Sequence, residues 1–86
     1  MHLKYKFAIQ EVADTFVAVV SDEDMEKFNG LIRMNKTGKD IFELLSDDVT
    51  EEDIVAALQK KYEGSEENIR DEVHKFVAYL SDMNIL

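Results

Sequence analysis

The sequence contains no cysteine. This absence excludes disulfides, thiolate metal sites, iron–sulfur clusters and thiol nucleophiles together, and it is compatible with a reducing compartment. Long apolar runs are also missing, because the longest, Phe16–Val20, is far shorter than the roughly 20 residues that cross a bilayer. Nothing near Met1 is typical of a signal peptide. We therefore expect a cytoplasmic protein that does not enter the membrane.

Basic residues are scarce: 10 Lys and Arg stand against 19 Asp and Glu, and the formal net charge is −9. Affinity for nucleic acids comes largely from basic side chains that displace counterions from phosphates. Nucleic acid and anionic membranes are therefore poor partners for this chain. The composition, 45% apolar and 34% charged over 86 residues, is that of a globular protein. We expect a single small domain over residues 1–86.

Side chains that could carry chemistry are few and scattered. His2 and His74 are the two histidines, and neither has a triad partner at a recognisable spacing. The acidic clusters Asp22–Asp24, Asp47–Asp48 and Glu51–Asp53 lack the spacing of an EF-hand and are typical of solvated loops and helix starts. We therefore expect no enzymatic activity, no metal site and no cofactor.

Hydropathy patterns divide the chain into strands followed by helices. Apolar residues alternate with polar ones early in the chain, and later they recur every three or four positions. The predicted strands are Tyr5–Val12, Thr15–Ser21 and Gly30–Asn35, and the predicted helices are Lys36–Ser46, a second from the cap Thr50 to near Gly64, and Glu66–Met83. This order favours an α+β fold, a three-stranded antiparallel sheet followed by three helices in a winged helix-turn-helix-like layout.

The third predicted strand places Ile32 and Met34 on one face and Leu31 and Arg33 on the other. Asn35 is a suitable N-cap for the helix that follows, and Thr50 with Asp53 resembles a capping box. Ser65 is placed to cap the third helix. The third strand is thus predicted to run directly into the first helix.

The stretch FNGLIRMNKTG, Phe28–Gly38, and the pattern after it resemble the PqqD-like family of small proteins. The similarity extends over nearly the whole chain. The further matching positions are Ile41, Leu44–Leu45, Thr50–Glu52, Ile54, Leu58, Tyr62, Asp71–Val73, Phe76, Leu80 and Ile85–Leu86. The family is named for the peptide chaperone of pyrroloquinoline quinone biosynthesis, and that branch typically has an Asp-Gly pair between the first two helices. This chain has Asp47–Asp48 there and contains no proline. These departures favour a role in the biosynthesis of a different ribosomally synthesised peptide.

The resemblance implies a peptide-recognition domain. Such a domain binds the leader of a ribosomally synthesised precursor peptide and presents it to a modifying enzyme, often a radical S-adenosylmethionine maturase. In the family the leader adds as a strand beside the third strand and packs against the third helix. Edge strands suit this role because they offer unpaired N–H and C=O groups.

The third helix offers two flanks beside its central apolar stripe. One flank carries Arg70, His74, Val77 and Ser81, and the other carries Glu72 and Tyr79. The sequence leaves open which flank borders the third strand; we favour the Arg70 flank because arginine beside a small apolar residue suits acidic and aliphatic anchors. The expected peptide-binding residues are Gly30, Leu31, Ile32, Arg33, Met34, Asn35, Arg70, Val73, His74, Val77 and Ser81.

The alternative function is a winged-helix DNA-binding regulator, which would place the third helix in the major groove. That helix would need basic or amide side chains on its exposed face. It carries Arg70 and Lys75 against Glu66, Glu67, Asp71, Glu72 and Asp82. The charge therefore favours the peptide-binding interpretation. An open strand edge would also allow a homodimer.

Overall fold

The computed structural model describes residues 1–28 and 30–86 and contains three strands followed by three helices. The strands are β1 (Phe7–Val12), β2 (Thr15–Val20) and β3 (Leu31–Met34), and the helices are α1 (Lys36–Leu44), α2 (Glu51–Lys61) and α3 (Glu66–Asp82). A short 3₁₀ turn, Asp22–Asp24, follows β2. The predicted order and fold class are confirmed. Asn29, part of the quoted motif, lies outside the described residues.

The sheet is antiparallel, with β2 between β1 and β3. The hairpin between β1 and β2 turns through Ala13 and Asp14, and Val12 lies opposite Thr15. Ala13 has a φ of 56°, the left-handed conformation that tight two-residue hairpin turns require. The predicted turn is therefore confirmed, although Ala13 bears the strain that a glycine would avoid.

Side-chain caps begin each of the three α-helices. Asn35 accepts a hydrogen bond from the amide of Gly38 (2.8 Å), and Ser65 accepts one from the amide of Asn68 (3.1 Å). Thr50 and Asp53 form a reciprocal capping box. These contacts satisfy amides that have no partner within a helix. All three predicted caps are confirmed.

Several predicted boundaries are a residue or two too long. β1 begins at Phe7 rather than Tyr5, and α1 ends at Leu44 rather than Ser46. β3 is confined to Leu31–Met34 because Asn35 is committed to capping α1. Helix and strand ends commonly differ by this much, since the terminal residues lack one side of their hydrogen-bond ladder.

The core lies between the inner face of the sheet and the three helices. Sheet residues such as Ala18 and Ile32 are fully buried. The helices contribute their central apolar positions, which are Ile41, Phe42, Ile54, Val55, Leu58, Ile69, Val73, Val77 and Leu80. Within the described residues, no helix combines the length and apolar character needed to span a bilayer.

Candidate peptide-binding groove

The hydrogen bonding between β1 and β2 fixes which way the backbone of β2 faces. The amide of Ser21 donates to the carbonyl of Lys6 (2.9 Å), in line with the register of the two strands. Opposite residues in an antiparallel pair alternate between hydrogen-bonded and non-hydrogen-bonded pairs. In this alternation Phe16 and Ala18 turn their N–H and C=O groups away from β1. Those groups are therefore directed toward β3.

The same alternation leaves one set of β3 backbone groups free. Met34 and Ile32 lie opposite Phe16 and Ala18, so their N–H and C=O groups pair with β2. The intervening residues, Leu31 and Arg33, direct theirs away from β2. In the described part of the chain no further strand lies beyond β3. The outer edge of β3 thus presents a row of donors and acceptors that can pair with an extended peptide.

The side chains of β3 alternate between core and solvent. Ile32 and Met34 are buried, whereas the Leu31 side chain is 52% exposed and Arg33 is exposed. The predicted facing of this strand is confirmed. Gly30, just before the strand, and Asn35, just after it, are also exposed.

Gly38 brings the end of β3, the start of α1 and one face of α3 together. A Cβ atom added there would lie 3.1 Å from Cβ of Met34 and 3.2 Å from Cε1 of Phe76. Both distances are closer than ordinary carbon–carbon contacts, so the packing favours glycine at this position. Because Phe76 lies on α3, this contact sets α3 beside the C-terminal end of β3.

An open groove of about 300 Å³ runs along this junction. Its first wall is formed by Asn35, Thr37, Gly38 and Ile41, and its second by Glu72, Lys75, Phe76 and Tyr79 of α3. The rings of Phe76 and Tyr79 lie 6.1 Å apart, and the Tyr79 side chain is 46% exposed. The groove therefore combines aromatic surface with polar groups at its margins, as peptide-binding sites commonly do.

The other flank of α3 faces α2. Arg70 hydrogen-bonds to both carboxylate oxygens of Glu52, through Nη1 to Oε1 and through Nη2 to Oε2 (3.1 Å), and its Nη2 also lies 2.8 Å from Oε1 of Glu66. The hydrogen bonds to Glu52 and then Glu66 raise the pKa of Arg70, and the bond from Arg70 lowers the pKa of Glu52. Nδ1 of His74 lies 3.4 Å from Oε1 of Glu51. On this flank Arg70 and His74 thus contact acidic residues of α2, and both stay partly exposed beside an open pocket of about 340 Å³.

The groove at the end of β3 lies on the flank of α3 opposite to the one that we favoured from the sequence. Acidic residues in the first turn of α2 hold Arg70 and His74 on the α2 side, so the Glu72 and Tyr79 flank lies at the groove. Val73 and Val77 are buried, at 0% and 8% exposure, and Ser81 is exposed. The five helix residues predicted to bind peptide are all within the described chain, and the groove lining includes none of them.

Seven of the eight groove-lining residues are absent from the predicted set, three of them on α1 and four on α3. Thr37 and Gly38 line the groove, as does Lys75 on α3. Gly38 could have been found, because glycine in a helix costs about 1 kcal/mol relative to alanine and so often marks a close approach. Lys75 gave no such signal, since exposed lysines are common on helices.

A polar contact anchors α1 to the end of α2. The hydroxyl of Tyr62 donates to Oδ2 of Asp40, and Nζ of Lys61 lies 3.2 Å from the same oxygen. Burial raises the pKa of Asp40, but the hydrogen bond from Tyr62 and the charge of Lys61 outweigh it, so the pKa is lowered overall. The same hydrogen bond raises the pKa of Tyr62. This contact fixes α1 and, with it, one wall of the groove.

Metal-binding groups are not assembled in the part of the chain that the structure describes: no three of its His, Asp or Glu side chains come together. His2 and His74 lie far apart in sequence, and each makes a local contact, His2 with the carbonyl of Leu3 and His74 with Glu51.

Together, the open edge of β3 and the adjoining groove define a winged-helix-like domain of three strands and three helices with an exposed peptide-sized groove. A solved structure described as "TbiB1 in Complex with the TbiA(beta) Leader Peptide" has the same fold, with a TM-score of 0.75 at 17% identity, covering 100% of this chain and 94% of that one. The family model "Coenzyme PQQ synthesis protein D (PqqD)" matches residues 17–86. The chain therefore belongs to the PqqD family. No curated protein matches it in sequence.

Proposed function

We propose that this protein binds the leader segment of a ribosomally synthesised precursor peptide. The observation that carries the proposal is the free backbone edge at Leu31 and Arg33, set beside an open groove on α3. A peptide added there would gain main-chain hydrogen bonds from β3 and side-chain contacts from the groove. Membership of the PqqD family and the leader-bound structure of TbiB1 support the same role.

The peptide strand would alternate its side chains between two surroundings. Those that point to the inner side of the sheet would enter the groove near Phe76 and Tyr79, and those that point outward would lie beside Leu31 and Arg33. Main-chain pairing would supply affinity for any extended segment, whereas these pockets would supply selectivity. We also propose that residues 1–86 act together as one peptide-recognition domain.

The second part of the proposal is delivery. Acting in the cytoplasm, the protein would hold the leader while a separate modifying enzyme, such as a radical S-adenosylmethionine maturase, acts on the rest of the precursor. We assign no catalytic step to the protein itself. In this view the protein raises the rate of modification by holding the precursor near the enzyme. Modification of an intact precursor by such an enzyme should be faster when the protein is present, and leader-free precursor should show no such gain.

The DNA-binding alternative has little support from the charge of α3. The exposed side of that helix carries Glu67, Asp71, Glu72 and Asp82. Lys75 on the same side lies 2.9 Å from Asp71, so its charge is already paired. Phosphates would be repelled along most of this surface. An electrophoretic shift assay at low salt should therefore detect no binding.

The experiment that tests the proposal is a titration of isotope-labelled protein with the synthetic N-terminal half of a short peptide encoded beside its gene. Backbone amide shifts should concentrate in Leu31–Asn35 and at Glu72, Phe76 and Tyr79. The amides of Arg70 and His74 should stay in place, which provides an internal control on the same helix. Binding that shifts only the Arg70 flank, or no binding to any such peptide, would contradict the proposal.

A further inference from the structure

Charge is distributed unevenly around β3. The stretch Lys27–Lys39 holds four of the chain's 10 basic residues and none of its 19 acidic ones. Two of the four are paired within the protein: Lys27 lies 3.7 Å from Asp24, and Lys39 lies 2.8 Å from Glu43. The strand edge is therefore a basic region of an acidic protein.

The remaining two bases, Arg33 and Lys36, have no ion-pair partner among residues 1–28 and 30–86. Arg33 lies on the outer face of β3, opposite Val17, which cannot pair with its charge. Its backbone groups also face the free edge. An added peptide residue opposite Arg33 would thus place its own side chain next to an unpaired guanidinium.

The neighbouring position on the same face is apolar. Leu31 lies opposite Val19, and Val19 lies opposite Ala8, so the three form a row across the sheet. Leu31 is 52% exposed and Val19 is 36% exposed, although both are aliphatic. A residue added opposite Leu31 would extend this row and cover its exposed end. Cross-strand neighbours of this kind interact most directly when both are aliphatic or aromatic.

The inner face sets the remaining positions. Residues added opposite Ile32 and Met34 would point toward the core side of the sheet, where Phe76 and Tyr79 line the groove. Both would therefore be apolar. The sheet is antiparallel throughout, and antiparallel pairing is slightly more stable per residue than parallel pairing. The added strand would accordingly run antiparallel to β3.

We propose that β3 selects an acidic peptide segment with a defined order: from N to C terminus, an apolar residue opposite Met34, an acid opposite Arg33, an apolar residue opposite Ile32 and an aliphatic residue opposite Leu31. This inference rests on the proposed function and specifies its substrate class. The acid pairs with Arg33 across the outer face, while the acidic remainder of the protein disfavours such a peptide elsewhere.

A library of random 12-residue peptides displayed on phage tests the order without assuming a partner. The full chain should enrich apolar–acid–apolar–aliphatic segments. Arg33→Glu should enrich Lys or Arg in place of the acid, and Lys60→Glu should select as the wild type does. Lys60 is a matched control because it is an exposed base on α2 with the same change in charge.

Titrations then measure the size of the effect. Changing the acid of an enriched peptide to Lys should weaken binding to the wild type by about 3- to 10-fold, as expected for a partly solvated ion pair turned into a repulsion, and Arg33→Glu should reverse the preference. Enriched peptides without an acid, or with the reversed order, would overturn the inference and leave strand addition intact. A library that yields no binder would contradict the proposed function as well.

Discussion

The two flanks of α3 differ in how far they are satisfied by the rest of the protein. On the α2 side, Arg70 reaches Glu52 and Glu66, and His74 lies near Glu51. On the β3 side, Phe76 packs near Gly38 while Tyr79 remains 46% exposed beside an open groove. Side chains of the first flank contact acidic residues of α2 and α3, whereas the second flank exposes aromatic surface that a ligand could cover.

This difference shows how residues that flank the apolar stripe of an amphipathic helix can be interpreted. Charged residues beside an apolar stripe are commonly engaged by neighbouring helices, and the acids that stabilise the start of α2 supply such partners here. Exposed aromatic residues in a groove more often mark a binding surface, because they offer apolar area at low entropic cost. The following predictions separate the two flanks by experiment.

The largest effect on leader binding should come from removing a backbone N–H donor from the free edge of β3. Arg33→Pro deletes an N–H that faces the free edge, and proline is tolerated at such edge positions. We expect leader affinity to fall by about 30-fold or more, because a hydrogen bond is lost and the ring obstructs the added strand. Calorimetric titration with the leader peptide measures the loss, and circular dichroism checks the fold.

Two controls isolate the cause of that loss. Glu11→Pro places the same change on the opposite edge of the sheet, where the alternation of hydrogen-bonded pairs also turns the N–H outward, and it should leave affinity unchanged. Arg33→Ala retains the N–H and removes only the charge, so its effect should be much smaller than that of proline. Equal losses from Arg33→Pro and Glu11→Pro would argue against strand addition at β3.

A smaller effect should follow from trimming one exposed side chain on each flank. Tyr79→Ala removes aromatic surface from the groove and should weaken leader binding by about 5- to 10-fold. His74→Ala, on the opposite flank, should change affinity by less than about 2-fold, since the His74 side chain is 71% exposed and does not line the groove. Fluorescence anisotropy of a labelled leader compares the two. A greater loss for His74→Ala would reverse the assignment of the flanks.

The flanks also mark the limit of what the sequence could predict. The alternation of Leu31, Ile32, Arg33 and Met34 gave the correct facing of β3, because a strand has only two faces. On α3, Arg70 and Tyr79 lie on either side of the apolar stripe, and periodicity treats them alike. Their surroundings are set by where α1 and α2 pack, which depends on contacts distant in sequence.

The width of the buried stripe on α3 was mispredicted for a related reason. Val77 belongs to the Arg70 flank by its spacing, yet it is buried at 8% exposure and belongs to the core. The width of a buried stripe is fixed by the neighbour that covers it rather than by the helix alone. The groove could likewise be predicted as a region, between β3 and the third helix, but its lining residues could not.

Acid should weaken the polar contact that anchors α1 to the end of α2. The pKa of Asp40 is lowered in the folded protein, since the hydrogen bond from Tyr62 and the charge of Lys61 outweigh the effect of burial. A depressed folded pKa adds stability above the unfolded value of 3.8, and that stability is lost as pH falls from there through the folded pKa. Asp40→Asn should therefore be less stable by about 1 kcal/mol at pH 7.

Thermal unfolding of both proteins between pH 7 and pH 2 checks this prediction. The gap in Tm should stay constant down to about pH 4 and narrow below it, as Asp40 in the wild type takes up its proton. Leader affinity at pH 7 should be nearly equal for the two proteins, because Asp40 does not line the groove. A gap that is the same at every pH would show that the charge of Asp40 is not the stabilising element.

The smallest effect should come from Arg70, despite its hydrogen bonds to Glu52 and Glu66. Exposed ion pairs contribute little, so Arg70→Gln should lower Tm by no more than about 4 °C, with less effect at high salt. Leader affinity should stay within about 2-fold of the wild type, as it should for the exposed control Lys60→Gln. If Arg70→Gln instead weakened leader binding strongly while Tyr79→Ala did not, the peptide would lie on the α2 side of α3, and the open groove beside β3 would need another occupant.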